Sequence, residues 1–299
     1  MKPRLVTTVA EYRGTCDELR REGHRLGLVP TLGALHHAHQ ALMRFAREQA
    51  DRVIVSIFVN PTQFGPGEDF ERYPRDLPGD LAACEAAGVD LVFAPEKREM
   101  YPAGEATRVH VSRLTEAWCG AVRPGHFEGV ATVVTKLFAA TGPSISVFGR
   151  KDYQQLQVIR RLTEDLLLPV SVIEHPTLRD PDGLATSSRN RYLGATERAR
   201  ALALPRALAL VCDAFAAGER EASRLSGLLS TALANADLDL QYAALVDSRD
   251  LRPVSNGEIS PGQVAVLLAA RVGATRLIDN VVLGVDAAPT FAKQVDENQ

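Results

Sequence analysis

Apolar residues in the first part of the chain fall into short β-branched runs separated by longer amphipathic segments. After a helix near Thr8–Glu22, the pattern predicts strands at Leu26–Val29, Val53–Asn60, Val89–Ala94, Arg108–Val111, Ile145–Phe148 and Val170–Glu174. The segments between them are long enough for crossover helices, at His39–Glu48, Leu77–Ala87, Val130–Ala140 and Asp152–Glu164. This alternation is typical of an α/β fold with a parallel sheet, in which ligands bind beyond the carboxyl ends of the strands.

The pattern changes after about Arg191, where two helical segments precede two further apolar runs. We predict the helices at Thr196–Ala217 and Glu221–Ala234 and the strands at Tyr242–Val246 and Val264–Ala270. These elements indicate a smaller α+β unit. We place the boundary near Thr177, which gives an N-terminal domain of residues 1–177 and a C-terminal domain of residues 178–299.

Composition supports a globular protein and narrows the choice of partners. The chain has 299 residues, 45% of them hydrophobic, and 34 Lys and Arg against 37 Asp and Glu, for a net charge of −3. At about 150 residues per domain this length suits two domains. Proteins that bind nucleic acid carry a basic surface for the phosphates, so we expect no nucleic-acid partner. No apolar stretch suits a signal peptide or a membrane span, so we expect a cytoplasmic protein without a membrane partner.

Four scattered cysteines, Cys16, Cys84, Cys119 and Cys212, form no C-x-x-C pair. This spacing argues against structural zinc and against a thioredoxin-like redox motif. We expect all four to be small, reduced core residues.

Histidines cluster where the first long strand leads into a helix, in Pro30-Thr31-Leu32-Gly33-Ala34-Leu35-His36-His37-Ala38-His39. A helix N-terminus offers unpaired N–H groups and the positive end of the helix dipole, which together bind phosphate. Imidazoles at 36 and 39 add hydrogen-bond donors there. Solvated surface histidines and a metal site are the alternatives, and the H-E-x-x-H metalloprotease pattern is absent.

Amides follow the next strand, in Asn60-Pro61-Thr62-Gln63-Phe64. Asn60 and Gln63 either line a pocket for a small polar molecule or cap the loop that begins there. That loop, Phe64–Asp80, is dense in Gly, Pro and charge, and we expect it to be long and mobile. Because it starts beside the amides, it is placed to cover the cleft and exclude water.

Two later segments combine cations, amides and hydroxyls. The strand Ile145–Phe148 leads into Gly149-Arg150-Lys151-Asp152-Tyr153-Gln154-Gln155, where Lys151 is placed to meet a phosphate and Gln155 to face the same cleft as Gln63. In Thr186-Ser187-Ser188-Arg189, adjacent serines can present Oγ and N–H donors to an anion. A solvated lysine and a solvated linker are the respective alternatives.

No P-loop, G-x-G-x-x-G or G-x-S-x-G motif occurs, so ATPases of the Walker type, dinucleotide dehydrogenases and α/β-hydrolases lack their fingerprints here. Six blocks in order along the chain do resemble one family, the pantothenate synthetases, or pantoate–β-alanine ligases, of the nucleotidylyltransferase superfamily. These blocks are PTLGALHHAH, SIFVNPTQF, YPRD, RPGHFEGVATVV, FGRKDYQQL and SSRNRYL. The resemblance implies a Rossmann-like N-terminal domain and a homodimer.

The resemblance also implies a reaction. ATP and Mg²⁺ activate pantoate to pantoyl adenylate with release of pyrophosphate, and the amine of β-alanine then displaces AMP. By position, His36, His39, Lys151, Ser187 and Ser188 match the catalytic residues, and Asp80 would lie near the magnesium. The nucleotide-binding set adds Pro30, Thr31, Leu32, Gly33, Gly149, Asp152, Thr186 and Arg189, and the substrate-binding set is Asn60, Gln63, Tyr73 and Gln155.

The chain departs from the family pattern at five positions. Leu32 and Thr186 stand where Met is usual, Gly79 where an acid is frequent, Arg150 where Glu is usual, and Ala38 where the histidine motif has Gly. The methyl group of Ala38 is expected to weaken ATP binding, because Gly lets the backbone approach a ligand closely. The departures leave three alternatives open: a ligase for a different acid or amine, a nucleotidyltransferase that keeps the nucleotide in its product, and a non-catalytic nucleotide-binding homologue.

Overall fold

The computed structural model describes residues 2–291, which form two compact units. The first contains residues 2–150 and 154–175, and the second contains residues 151–153 and 176–291. Residues 151–153 therefore belong to the second unit although they precede the boundary that we place near Thr177. Within residues 2–291, no helix combines the length and the apolar character needed to cross a bilayer.

A six-stranded parallel sheet forms the centre of the first unit, as the sequence predicts. Its strand order is β1-β4-β3-β2-β5-β6. The inner strands are buried along most of their length, which is why they consist of nearly continuous apolar runs. The strands are β1 (Arg4–Val6), β2 (Leu26–Thr31), β3 (Arg52–Ile57), β4 (Leu91–Phe93), β5 (Ser144–Gly149) and β6 (Val170–His175).

Helices connect these strands because parallel neighbours need crossover connections. Tyr12 on α1 shows how they pack: its ring stacks on Phe93 of β4 at 4.2 Å, and its buried hydroxyl lies 2.6 Å from Thr141 Oγ1. The helices are α1 (Val9–Arg21), α2 (His37–Gln49), α3 (Leu77–Ala86), α4 (Lys97–Met100), α5 (Cys119–Val122), α6 (His126–Thr141) and α7 (Tyr153–Asp165).

The strand order places a topological switch point between β2 and β5. From β2 the chain adds β3 and β4 on one side of the sheet, and it later adds β5 and β6 on the other side. Ligands of open α/β sheets bind beyond the carboxyl ends of the strands at such a point. The segments that follow β2, β3 and β5 are therefore the first candidates for a functional site.

The second unit is α+β, as predicted. Three helices, α8 (Ala195–Ala201), α9 (Ala203–Ala216) and α10 (Ala222–Ala234), accompany an antiparallel sheet of order β7-β8-β9. Its strands are β7 (Asp239–Asp247), β8 (Val264–Val272) and β9 (Thr275–Val282). Apolar side chains from both layers, such as Leu208, Leu229 and Val266, are almost fully buried in one core.

Two predicted elements are wrong. Arg108–Val111 is not a strand, because the Val109 N–H donates to Thr132 Oγ1 on α6 (3.0 Å) instead of to a neighbouring strand. Thr196–Ala217 is not one helix: it divides at Leu202, shortly before Pro205, which cannot donate the next backbone hydrogen bond. The sequence analysis also missed β1 and β9.

All four cysteines are buried and unbonded, as expected. Burial raises the pKa of the Cys84 thiol to about 12, with a further contribution from the nearby Asp80 charge. Burial likewise raises the pKa of Cys16 to about 11 and that of Cys212 to about 12. These three thiols therefore stay protonated at neutral pH, and a thiol is far less reactive than a thiolate.

Candidate active site

The turn after β2 has an unusual backbone. Gly33 and Ala34 both have positive φ, 80° and 52°, a region that non-glycine residues rarely adopt. Thr31 holds the start of this turn, because its hydroxyl donates to Ser56 O on β3 (2.7 Å) and accepts the Gly33 N–H (3.1 Å). Pro30 and Thr31 end β2, and Leu32 and Gly33 form the turn that leads towards the histidines.

Asp80 closes the turn from the side of α3. Its side chain is buried, with 4% exposed, and its two carboxylate oxygens accept the N–H groups of Ala34 (3.1 Å) and Leu35 (2.7 Å). We predicted Asp80 near magnesium from the family resemblance. The structure places it against backbone amides, and within the described residues no three His, Cys, Asp or Glu side chains lie close enough to hold a metal ion together.

His36 and His39 meet at the N-terminus of α2. His36 is the N-cap residue, and its backbone N–H donates to His39 Nδ1 at 3.3 Å. The two rings lie 4.0 Å apart, both partly buried, whereas His37 is exposed. Because His39 Nδ1 accepts a hydrogen bond, the neutral ring carries its proton on Nε2. The site thus combines a helix N-terminus with an oriented imidazole donor.

Asn60 is a buried organiser of the segment after β3. Its Oδ1 accepts hydrogen bonds from Thr62 Oγ1 (2.9 Å) and Tyr101 OH (2.8 Å), and its Nδ2 donates to Gly129 O (3.1 Å). Asn60 also caps the 3-10 turn Pro61–Gln63. Of the two alternatives for Asn60, the structure therefore shows the capping role.

The orientation of the Gln63 amide follows from Asn60. Asn60 Nδ2 also donates to Gln63 Oε1 at 3.0 Å. Carbonyl groups only accept, so the bond to Gly129 O identifies the Asn60 nitrogen, and the nitrogen in turn requires an oxygen from Gln63. The Gln63 NH₂ group is therefore the donor end that points away from Asn60.

Arg123 and His126 support the Gln63 backbone. His126 Nδ1 lies 2.8 Å from Gln63 O, and Arg123 Nη1 lies 2.9 Å from His126 Nε2. Arginine only donates and the carbonyl only accepts, so His126 is neutral with its proton on Nδ1. Arg123 also binds Glu68 through two hydrogen bonds, of 2.7 and 2.6 Å. Burial opposes ionisation of Glu68, but Arg123 outweighs it and lowers the Glu68 pKa.

The segment between Gln63 and α3 is organised around aromatic rings. Phe64 contacts Phe70 and Tyr73 edge to face, at 5.4 and 5.9 Å between ring centroids. Arg75 lies over the Phe70 ring and donates to the Phe70 and Tyr73 carbonyls (2.9 and 3.1 Å). Tyr73, predicted to bind substrate, is 6% exposed within this cluster. The loop ends at Asp76, which caps α3 by accepting the Gly79 N–H.

The end of β5 shows how the fold accommodates Arg150. Its side chain, 9% exposed, donates to Glu174 at the end of β6 (2.7 Å), and Arg160 binds the other Glu174 oxygen (3.0 Å). The positive charge at Arg150 is therefore paired with a carboxylate within the unit, which Arg150 shares with Arg160. On α7, Gln154 is buried and holds the Leu114 and Ala117 carbonyls and the Cys119 N–H, whereas Gln155 is partly exposed.

In the second unit, a hydrogen bond to its backbone carbonyl holds Lys151 in place. Asn280 Nδ2 on β9 donates to Lys151 O at 2.7 Å. The Lys151 side chain is 20% exposed, with Nζ 3.7 Å from Asp152 Oδ2. A separation of this size is a weak ion pair at a surface. Gly149 ends β5, and Lys151 and Asp152 follow it in a 3-10 turn.

Asp180 organises the serine turn of the second unit. Its Oδ1 accepts from Thr186 Oγ1 (2.7 Å), and its Oδ2 accepts from Asn190 (3.1 Å) and Arg198 (2.7 Å). Burial opposes ionisation of Asp180, but these hydrogen bonds outweigh it and lower its pKa. Ser187 caps the 3-10 turn Ser188–Tyr192 by accepting the Arg189 N–H. Thr186, where the family has Met, thus gains a hydrogen bond that Met cannot make.

The structure brings together His36 with His39, Asn60 with Gln63, and Asp80 with the turn that precedes His36. The sequence analysis missed the buried or partly buried polar residues that support these groups, namely Tyr101, Arg123, His126, Gln154, Asp180, Asn190 and Asn280. Arg123 and His126 lie in the block RPGHFEGVATVV, which was the available signal. Asn280 lies in a strand that was not predicted.

Comparisons with known proteins point to a single family. The family model for pantoate–β-alanine ligase matches residues 4–282. The pantothenate synthetase of Heliobacterium modesticaldum is 52% identical over 283 residues, which cover 94% of this chain and 100% of that protein. The pantothenate synthetase of Myxococcus xanthus is also 52% identical and covers 95% of this chain and 97% of its own length.

Solved structures show the same fold. The crystal structure of the pantothenate synthetase from Thermus thermophilus has a TM-score of 0.87 and 48% identity, covering 93% of this chain and 99% of that one. A pantoate–β-alanine ligase from Francisella tularensis, solved in complex with β-γ ATP and β-alanine, has a TM-score of 0.73 and 31% identity, covering 94% and 97% of the two chains. With the family model spanning nearly all of the described residues, the chain belongs to the pantoate–β-alanine ligase family.

Proposed function

We propose that this enzyme joins pantoate to β-alanine in two steps. A pantoate carboxylate oxygen first attacks the α-phosphorus of ATP, and the bond from that phosphorus to the bridging oxygen breaks, releasing pyrophosphate. The β-alanine amine then attacks the acyl carbon of pantoyl adenylate, loses its proton, and displaces AMP. One observation carries the proposal: a helix N-terminus with a histidine pair and an amide whose donor end points away from Asn60 follow β2 and β3, which pair directly in the sheet.

The nucleotide phosphates are assigned to the N-terminus of α2. Its 13 residues provide a helix dipole whose positive end favours a negatively charged ligand. His39 adds an Nε2–H donor, because its Nδ1 is occupied by the His36 N–H. The His36 ring lies against the His39 ring, with 4.0 Å between their centroids. We infer that this pair holds ATP in both the ground state and the transition state, so its loss weakens binding and turnover together.

The pantoate carboxylate is assigned to Gln63. A carboxylate only accepts hydrogen bonds, so its pocket must offer donors. The Asn60 hydrogen bond directs the Gln63 oxygen away and leaves the NH₂ group as the donor. Gln155, which follows β5 on the opposite side of β2, is proposed as a second contact to pantoate, and Tyr73 as a further one.

Residues of the second unit are proposed to stabilise the negative charge that develops during adenylation. In the transition state the α-phosphoryl oxygens gain negative charge, and donors fixed in advance stabilise that state more than the ground state. Lys151, Ser187 and Ser188 are proposed for this role. Asn280 holds the Lys151 backbone, and Asp180 binds the side chains of Thr186 and Asn190, which flank the two serines in the sequence. Gly149, Asp152, Thr186 and Arg189 are proposed to contact the nucleotide, as are Pro30, Thr31, Leu32 and Gly33.

Magnesium is proposed as the partner of the ATP phosphates. Mg²⁺ usually keeps several waters and takes one or two carboxylates together with substrate phosphates. The surroundings of Asp80 do not fit a magnesium site that keeps several waters, because the side chain is 4% exposed and each of its oxygens accepts a backbone N–H group. No step above therefore depends on a metal bound by this chain. A homodimer and a cytoplasmic location are also proposed, on the family resemblance alone.

The decisive experiment follows labelled oxygen. Pantoate with ¹⁸O in its carboxylate is incubated with ATP, Mg²⁺ and β-alanine, and AMP, pyrophosphate and the amide are analysed by mass. Adenylation predicts one ¹⁸O in AMP and an amide with the mass of pantothenate. Exchange of labelled pyrophosphate into ATP should require pantoate. Label in inorganic phosphate would reject adenylation, and exchange that needs no pantoate, or that responds only to another acid, would reject the substrate.

A further inference from the structure

The turn before the histidine pair depends on a side chain from a distant part of the sequence. Gly33 and Ala34 are both left-handed, and the amides of Ala34 and Leu35 point at Asp80, more than forty residues further along the chain. An alanine held with positive φ persists only when its surroundings fix it. The two hydrogen bonds to a buried carboxylate supply that constraint.

Asp80 is itself anchored. It lies in the first turn of α3, where the helix dipole favours a negative charge. Asp76 caps the same turn, and the Asp80 N–H donates to Asp76 O at 2.9 Å. The backbone that carries the carboxylate is therefore fixed at the start of α3.

The contact between the carboxylate and the turn is tight. A Cβ atom placed on Gly33 would lie 2.7 Å from Asp80 Oδ2, closer than such atoms approach in proteins. Mg²⁺ prefers six oxygen ligands at about 2.0–2.1 Å in octahedral geometry. An acid that is 4% exposed, accepts an N–H on each oxygen and touches the turn this closely has surroundings built for amides instead.

We propose that Asp80 is a positioning residue, which holds the Gly33–Leu35 turn and thereby sets the place of His36 and His39 at the N-terminus of α2, and that it is not a magnesium ligand. Only the expected effect on ATP binding rests on the proposed function. Loss of the carboxylate leaves two amides without their acceptor and releases the left-handed turn. The histidine pair then loses its fixed position relative to the ATP phosphates.

The test compares Asp80→Asn with Glu85→Gln, a matched change at an exposed acid on the same helix. Hydrogen exchange is measured first, in the absence of nucleotide and metal. Asn keeps only one, uncharged acceptor oxygen, so we expect at least one of the Ala34 and Leu35 amides of Asp80→Asn to exchange about ten- to hundredfold faster, the factor that a hydrogen bond to a charged group contributes. Unchanged exchange at both amides would overturn the proposal.

Kinetics supply the second measurement. In pyrophosphate exchange, Asp80→Asn should raise the KM for ATP by about tenfold or more, while the Mg²⁺ concentration for half activation, at saturating ATP, stays within about twofold of wild type. A tenfold rise in that Mg²⁺ concentration, with activity restored by excess Mg²⁺, would identify a metal ligand and refute the proposal.

If Asp80→Asn does not fold, Gly33→Ala tests the same contact from the other side, because its methyl group displaces the carboxylate. It should show the same rise in KM and the same Mg²⁺ response, and a normal KM for ATP would contradict the proposal. A wild-type enzyme without pantoate-dependent exchange would reject the proposed function, whereas the hydrogen exchange of Ala34 and Leu35 would still decide the role of Asp80.

Discussion

The ion pair between Glu68 and Arg123 tests whether the loop from Phe64 to Asp76 closes over the reaction. An acyl adenylate is attacked by water as readily as by an amine, so a ligase must exclude solvent between its two steps. Glu68 lies in this loop and binds Arg123, which contacts His126 beneath the Gln63 carbonyl. Glu68→Gln removes the charge, keeps the size, and leaves the Arg123 contacts to Gln63 and His126 in place.

The expected size of the effect follows from burial. The Arg123 and Glu68 side chains are 13% and 24% exposed, so solvent screens the pair only in part. Hydrogen bonds to charged groups contribute about 1.5–3 kcal/mol, and partial exposure reduces this to roughly 1–2 kcal/mol. The open form of the loop should therefore become about five- to thirtyfold more populated.

The assay measures AMP and amide together at saturating β-alanine. Wild type should release one AMP per amide, whereas Glu68→Gln should release an excess of AMP while its pyrophosphate exchange changes by less than about threefold. Glu71→Gln, an exposed acid in the same loop, is the matched control. A ratio of one in Glu68→Gln with normal turnover would refute the lid, as it would for an enzyme in which residues 65–68 are trimmed.

The pH dependence has a definite sign. The pKa of Glu68 is lowered in the folded protein, so the stabilisation by this pair is complete above the ordinary pKa of a glutamate and is lost as the pH falls through the lowered value. The ratio of AMP to amide in wild type should therefore be flat between about pH 6 and 9. A ratio that rises steeply within this range would exclude the pair as the closing contact.

The remaining predictions concern single residues of the proposed site. Lys151→Ala should reduce adenylation by about 10²–10³ with little change in ATP affinity, since it acts mainly in the transition state, and an equal fall in affinity would make it a ground-state binder. His36→Ala and His39→Ala should weaken ATP binding and turnover together. Unchanged kinetics in either variant would favour the alternative that the histidine is a solvated surface residue. Gln63→Glu keeps the acceptor for Asn60 but should weaken pantoate binding by charge repulsion and leave ATP affinity unchanged. An equal loss of both affinities would show that the pantoate pocket is not at Gln63. Ala38→Gly should lower the KM for ATP despite costing about 1 kcal/mol of helix stability; an unchanged KM would place the methyl group away from the nucleotide.

The sequence by itself determined the elements whose signals are local. A short apolar run that leads through a turn to His36 and His39 predicts a strand, a turn and a helix N-terminus, because each of these steps depends on neighbouring residues. The amides after β3 were found in the same way. The parallel sheet followed from the alternation of such units, since parallel strands require crossover helices.

Strand pairing decided the structure of two segments whose local sequence was misleading. Arg108–Val111 has the composition of a strand, but the amide of Val109 is satisfied by Thr132 on α6. Conversely, β9 contains Arg276, Asp279 and Asn280 and does not read as a strand, yet β8 pairs with it along its whole length. Strand formation depends on a partner, and a partner is not visible in a single segment.

Only the tertiary structure decided what the buried polar side chains do. The sequence placed Asp80 near a metal by family position, whereas the fold places its carboxylate against the Ala34 and Leu35 amides. The direction of the Gln63 amide likewise depends on Gly129, which acts through Asn60. Each of these arrangements satisfies a buried donor or acceptor with a partner dozens of residues away, and which groups need partners is known only once the chain has folded and removed them from water.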